Sequence, residues 1–214
     1  MAIPQNHLYM SVEEYLAFES AAPVRHEYVD GQLFAMVGTT LRHNIISSNL
    51  QTILQTHLRG GSCRVFMSDV KVRVEATNSF YYPDIMVSCK PIDTSSTVIT
   101  EPVLLAEILS PSTAATDKRE KLVAYLKIQT LKEYLIVYQS KKRIEVYRKG
   151  LDGHWKIPEV VELQNTLEIQ SLPKPLSIAL DAIYEDVDWA EPNANAPWLV
   201  SETAYGSLEL EEIY

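Results

Sequence analysis

Long apolar runs, cysteine clusters and glycine-rich loops are all missing from this chain. Its uncharged apolar stretches, such as Leu104 to Ala106 and Tyr134 to Tyr138, are short. They fall far short of the roughly 20 residues needed to cross a bilayer, so no membrane partner is expected. Met1 to His7 lacks the basic start and apolar block of a secretory signal, and the cytoplasm is the expected compartment. The only cysteines, Cys63 and Cys89, are too distant for a CxxC pair and have no second pair to complete a zinc site. They read as two reduced thiols buried in strands. No Walker-type phosphate loop occurs, and no Gly-x-Ser-x-Gly elbow surrounds Ser110 or Ser112, which leaves a serine hydrolase without its nucleophile setting.

What is present is a globular composition: 214 residues, 46% hydrophobic, 22% charged and 9% aromatic, enough for one sizeable core. The net charge of -9 argues against indiscriminate nucleic-acid binding, yet the total hides an asymmetry. Residues 61–149 carry 14 basic and 10 acidic side chains, whereas residues 150–214 carry two and 13. Any phosphate site therefore belongs in the middle of the chain. We expect a single domain over residues 1–188 and an acidic C-terminal tail over residues 189–214, and a tail of that charge should not touch DNA.

Ser11-Val12-Glu13-Glu14 fits a capping box, followed by a short helix to about Phe18. Arg25 to Val29 and Gln32 to Val37 flank Asp30-Gly31, a two-residue hairpin turn. From Thr40 to Leu58, apolar residues recur at steps of three and four, giving a helix closed by Gly60-Gly61. Strands are expected at Cys63 to Met67, Val70 to Val74, Asp84 to Cys89, Val103 to Leu109, Tyr134 to Tyr138 and Ile144 to Arg148. A helix is expected from Thr116 to Ile128, and a short acidic one from Ser177 to Val187. The irregular mixture points to an α/β (α+β mixed) fold: a central mixed sheet flanked by helices, with an N-terminal helix and hairpin.

Two carboxylates stand out because each sits in an otherwise apolar strand: Asp84, after Tyr82-Pro83, and Glu107, inside Leu104 to Leu109. An ionised group there is costly unless it is paired or binds a cation. Glu107 shares a strand face with Val103, Leu105 and Leu109. Downstream, Asp117, Lys121 and Tyr125 follow at steps of four on one helical face, which can bring an ammonium beside the carboxylates.

These residues, together with Arg25-His26-Glu27-Tyr28-Val29-Asp30-Gly31, His43, Tyr81-Tyr82-Pro83-Asp84 and Glu107-Ile108-Leu109-Ser110-Pro111-Ser112-Thr113, carry a resemblance. Over residues 10–150 the chain resembles the Uma-type endonuclease-like family of the PD-(D/E)XK nuclease superfamily. The resemblance implies a restriction-endonuclease-like core, metal-dependent hydrolysis of DNA phosphodiesters, and homodimers. It implies acidic site residues Glu27, Asp84 and Glu107, with Lys121 as the basic one. The chain departs from the superfamily at Leu109, where the third letter of the signature would be lysine, and Lys121 is the migrated substitute.

The chemistry of the residues agrees. A hard cation answers the charge that builds on phosphoryl oxygens, so Mg2+, with Mn2+ as its substitute, would be held by Asp84, Glu107 and a backbone carbonyl such as that of Ile108. Glu27 would steady the coordination sphere. Ordinary roles compete at several positions: His43 as a satisfied inner histidine, Lys71 and Arg73 as a wet strand face, Tyr81, Tyr82 and Tyr125 as packing rings, and Glu27 as a partner of Arg25. Leu109 and the acidic end leave an alternative, a nuclease-fold protein that binds nucleic acid or a protein without cleaving.

Overall fold

The structure is a computed structural model that describes residues 9–36, 38–110, 117–163 and 165–189. The expected acidic tail from residue 190 on and the Ser-Pro-Ser-Thr loop beyond Ser110 lie outside the described residues, as does the side chain of Asp117.

The capping box forms: Ser11 N–H donates to Glu14 Oε2 (2.8 Å) and Glu14 N–H to Ser11 Oγ (3.2 Å), starting helix α1, Val12–Ala21. Strands β1 (His26–Val29) and β2 (Gln32–Ala35) turn at Asp30 and Gly31, both with positive φ, 44° and 94°. Helix α2, Leu41–Leu58, is capped by Thr40 and buries Ile46, Leu50, Leu54 and Leu58, as its spacing predicts.

The remaining strands are β3 (Arg64–Met67), β4 (Lys71–Val74), β5 (Ser79–Tyr81), β6 (Ile85–Ser88), β7 (Val98–Ile99), β8 (Leu104–Leu109), β9 (Glu133–Tyr138), β10 (Arg143–Arg148), β11 (Glu159–Glu162), β12 (Thr166–Ile169) and β13 (Leu176–Ala179). They make two main sheets where one was expected. A six-stranded sheet runs β11-β10-β9-β8-β6-β3, antiparallel except for the β8/β9 pair. A five-stranded sheet runs β2-β1-β5-β4-β7, and β12-β13 is a separate hairpin. A parallel pair needs a crossover. Between β8 and β9 it includes a π-helical turn, Asp117–Lys121, leading into helix α3, Leu122–Tyr125. The helix expected to Ile128 stops at Tyr125, and the helix expected from Ser177 opens instead as β13 before a short helix α4, Leu180–Ile183.

Period-two alternation divides the core. Leu104, Ala106 and Ile108 pack with α2 and α4, whereas Leu105 and Leu109 join Val72, Val74 and Tyr81 of the five-stranded sheet, with Tyr125. On the other side of that sheet, Tyr28 and Phe80 pack against Tyr15 of α1. Glu107 is therefore sent between the two sheets.

Two expectations are corrected. The register Arg64↔Ser88 sets Cys63 opposite Cys89, and the two form a disulfide rather than separate reduced thiols. Lys71 is not on a wet face: it is buried, donating to Tyr82 Oη (3.3 Å), whose own hydroxyl donates to Glu19 (2.7 Å). Among the described residues, no helix is long and apolar enough to cross a membrane.

Candidate active site

The chain passes from one sheet to the other through Tyr81-Tyr82-Pro83-Asp84: Tyr81 ends β5, and Asp84 stands at the entry to β6. The β6/β8 register, Ile85↔Ala106, brings Asp84 beside Glu107, whose Oε2 accepts from Asp84 N–H (3.4 Å). Asp84 Oδ2 in turn accepts from Ile108 N–H (2.7 Å). The backbone thus locks the two acids together.

Lys121 closes the group. Its ammonium lies 2.8 Å from Glu27 Oε1 and 3.3 Å from Glu107 Oε1, so one cation bridges a carboxylate of each sheet. Glu107 Oε1 also accepts from the Tyr125 hydroxyl (2.7 Å), and Glu27 Oε1 accepts from Tyr82 N–H (3.2 Å). Glu107 and Lys121 are 3% and 6% exposed, so these are interior charges balancing each other. Burial, and then the Glu107 carboxylate, hold the Tyr125 phenol well above its ordinary range, which keeps it a hydrogen-bond donor. Burial lifts Tyr81 to about 12. Tyr82 is raised too, by burial and its bond to Glu19, and burial lowers Lys71.

Asp84, Glu107, Lys121, His43, Tyr82 and Arg25 line a cavity of about 270 Å³ between the sheets and the start of α2. All four expected catalytic residues, Glu27, Asp84, Glu107 and Lys121, therefore meet at one place. Arg25 does not take Glu27; it pairs with Asp69. Ile108 reaches the site through its N–H, and its carbonyl remains an expectation.

No three His, Cys, Asp or Glu side chains form a metal cage among the described residues, so the available donor set is the Asp84 and Glu107 carboxylates. Both hydrogen bonds to the Asp84 carboxylate fall on Oδ2, and Oδ1 carries none among the described residues. Two hard oxygen donors at a cavity wall fit an ion of the Mg2+ type, which keeps several waters and needs only one or two carboxylates.

The Uma2 family, described as "Putative restriction endonuclease", matches residues 12–181. This chain belongs to the Uma2 family. Two relatives in Synechocystis sp. (strain ATCC 27184 / PCC 6803 / Kazusa) are uncharacterised. Slr1290 is 40% identical over 82% of this chain and 91% of its own length, and sll1609 is 33% identical over 71% and 88%. In structure, this Uma2 chain is similar to a "putative nuclease belonging to DUF820" from Anabaena variabilis ATCC 29413. The TM-score is 0.65 at 18% identity, covering 82% of this chain and 97% of that one, which shows a restriction-endonuclease-like fold.

Two residues of this candidate site go beyond the sequence reading. Tyr125 is not only a packing ring, since its hydroxyl serves Glu107; its step of four from Lys121 was the signal. His43 is buried as expected, yet its Nε2 lies 3.1 Å from Asp84 Oδ2. That partner is 41 residues away in the chain, and helix periodicity alone does not reveal it.

Proposed function

We propose that this chain is a metal-dependent nuclease that hydrolyses DNA phosphodiester bonds at Asp84, Glu107 and Lys121. The observation that carries the reading is the convergence of two strand-borne carboxylates and a buried ammonium on one cavity. Family membership and the similarity to a nuclease-fold structure support it.

Asp84 and Glu107 would hold the divalent cation, Mg2+ or Mn2+. When bound, that ion supplies Lewis acidity toward phosphoryl oxygens and makes water a stronger acid. The chain's own groups do the rest. Lys121 places a fixed positive charge where negative charge builds during hydrolysis, in a site largely closed to water, where such a charge acts strongly. Tyr125 and the Asp84 amide hold Glu107 in orientation. Glu27 holds the Lys121 ammonium in place from the opposite sheet. Arg25, half-exposed at the cavity wall, can take a phosphate oxygen of the incoming strand.

Leu109 is buried and apolar, so it cannot supply the missing strand lysine, and this favours the alternative of binding without cleavage. Lys121 beside Glu107 supports the first reading, since it brings an ammonium from the π-helical turn that precedes α3. The test is plasmid DNA incubated with Mg2+ or Mn2+, comparing wild type with Asp84→Asn, Glu107→Gln and Lys121→Ala. Cleavage by wild type and its loss in all three is expected. Cleavage unaffected by the three substitutions would refute the site, and no cleavage across DNA forms and metals would favour binding alone.

A further inference from the structure

We propose that His43 is a positioning residue for Asp84, held in register by Thr40 and Gln139. This deepens the reading above and rests on Asp84 being a cation-holding carboxylate.

Asp84 precedes β6, so the strand ladder does not fix its side chain. Its orientation depends on two donors that share Oδ2: Ile108 N–H at 2.7 Å and His43 Nε2 at 3.1 Å. A carboxylate only accepts, so Nε2 carries the proton, and either the neutral tautomer or the imidazolium provides it. With Oδ2 occupied twice, Oδ1 is the oxygen that remains for a ligand in the cavity that His43 and Asp84 both line. Carboxylates that ligate metals are ordinarily held in this way by groups that do not touch the ion.

His43 is itself held. It stands in the first turn of α2, and its N–H donates to the Thr40 hydroxyl oxygen at 3.1 Å. That hydroxyl donates to Gln139 Oε1 at 2.6 Å, just beyond the end of β9. Gln139 is 7% exposed, and its Nε2 is buried without a hydrogen-bond partner among the described residues. Leaving a buried donor unmade is costly, so an amide side chain at this position calls for a reason. Anchoring the cap that aims His43 is such a reason. The path Gln139, Thr40, His43, Asp84 joins β9 to β6 through the start of α2, independently of the sheet ladder.

The experiment is Mn2+ titration of the full chain without DNA, read by electron paramagnetic resonance of the free ion, beside plasmid cleavage. The variants are His43→Leu, His43→Gln, Thr40→Val, Thr40→Ser and Asp84→Asn. His43→Leu and Thr40→Val should each weaken Mn2+ binding about 10- to 100-fold. His43→Gln, which keeps an N–H donor, and Thr40→Ser, which keeps the hydroxyl, should recover most of it. If His43→Leu does not fold, the Thr40 pair decides by the same comparison. Wild-type affinity in His43→Leu together with loss in Asp84→Asn overturns the role of His43 and leaves the cation reading intact. Equal weakening in His43→Leu and His43→Gln, or in both Thr40 variants, reduces the effect to packing and also overturns it. A wild type that takes up no Mn2+, or an Asp84→Asn that binds as well, overturns the cation reading and this inference with it.

Discussion

Replacing Lys121 with methionine keeps the length of the side chain and removes its charge, which isolates the ammonium's contribution. The ammonium lies 2.8 Å from Glu27 Oε1 and 3.3 Å from Glu107 Oε1, and Tyr81 presents its ring 5.9 Å away. Removing one member of a buried ion pair strands the other, at a cost of about 3 to 5 kcal/mol. Here two carboxylates would be stranded, but the Tyr125 hydroxyl and the Asp84 amide still serve Glu107, and the Tyr82 amide still serves Glu27. The lower end, about 3 kcal/mol, is therefore expected. For a chain of this size each kcal/mol moves the melting temperature by about 2 to 4 °C, so Lys121→Met should melt about 6 to 12 °C below wild type. The assay is calorimetry in chelator, which excludes rescue by a divalent ion. Combining Lys121→Met with Glu107→Gln should cost less than the two single losses added together, because neutralising the stranded acid removes part of the penalty. A single variant that melts within about 1 °C of wild type, or a double variant in which the two losses simply add, would refute the view that Lys121 is the counter-ion of Glu107.

Tyr125→Phe deletes the hydroxyl 2.7 Å from Glu107 Oε1 and should destabilise by about 1 to 3 kcal/mol, because a buried charged acceptor loses a donor; urea denaturation measures it, and an unchanged midpoint argues against the contact. Alkaline pH should destabilise the fold. The phenols of Tyr125, Tyr82 and Tyr15 are raised chiefly by burial and that of Tyr81 reaches about 12, whereas unfolded tyrosine ionises near 10. Above that pH the unfolded chain releases protons that the native chain retains. Stability is then full below pH about 10 and falls as pH rises toward and beyond about 12. Urea midpoints at successive pH values, with tyrosinate absorbance, check the sign, and a midpoint that holds or rises contradicts it.

Local periodicity made parts of this molecule legible and hid others for a definite reason. The faces of α2 and β8 are properties of a single segment, so spacing alone placed Leu50 and Leu54 inside and sent Glu107 to the opposite side from Ala106. The step of four from Lys121 to Tyr125 survived because the turn of α3 follows immediately on Lys121. What spacing cannot show is which segment lies opposite. Lys71 alternates like a solvent-facing residue, and only the arrival of Tyr82 and Glu19 buries it. Cys63 and Cys89 read as unrelated until the β3/β6 register sets them side by side. Three-residue β5 and two-residue β7 carry no periodic signal, so the second sheet they complete was not visible.

That second sheet gives Glu27 a separable role. Glu27 lies on β1 of the five-stranded sheet, and Lys121 belongs to the crossover between β8 and β9 of the six-stranded one, so their 2.8 Å contact ties the layers together. Glu27→Gln keeps an oxygen for Tyr82 N–H and leaves Lys121 its bond to Glu107, while the cross-sheet charge pair is lost. A hydrogen bond between charged partners contributes about 1.5 to 3 kcal/mol, and a neutral amide recovers part of that, so the net loss should be about 1 to 2 kcal/mol, less than for Lys121→Met. The loss should also be local. Sub-global opening follows packed units, and the hairpin of β1 and β2 is an edge unit held otherwise by the short pairing of β1 with β5 and by α1 through Tyr15 and Tyr28. Amide hydrogen exchange should therefore quicken in residues 26–35, while β8 and β9 retain wild-type protection. Uniform quickening across both sheets, or none at all, would show that Glu27 does not couple the layers.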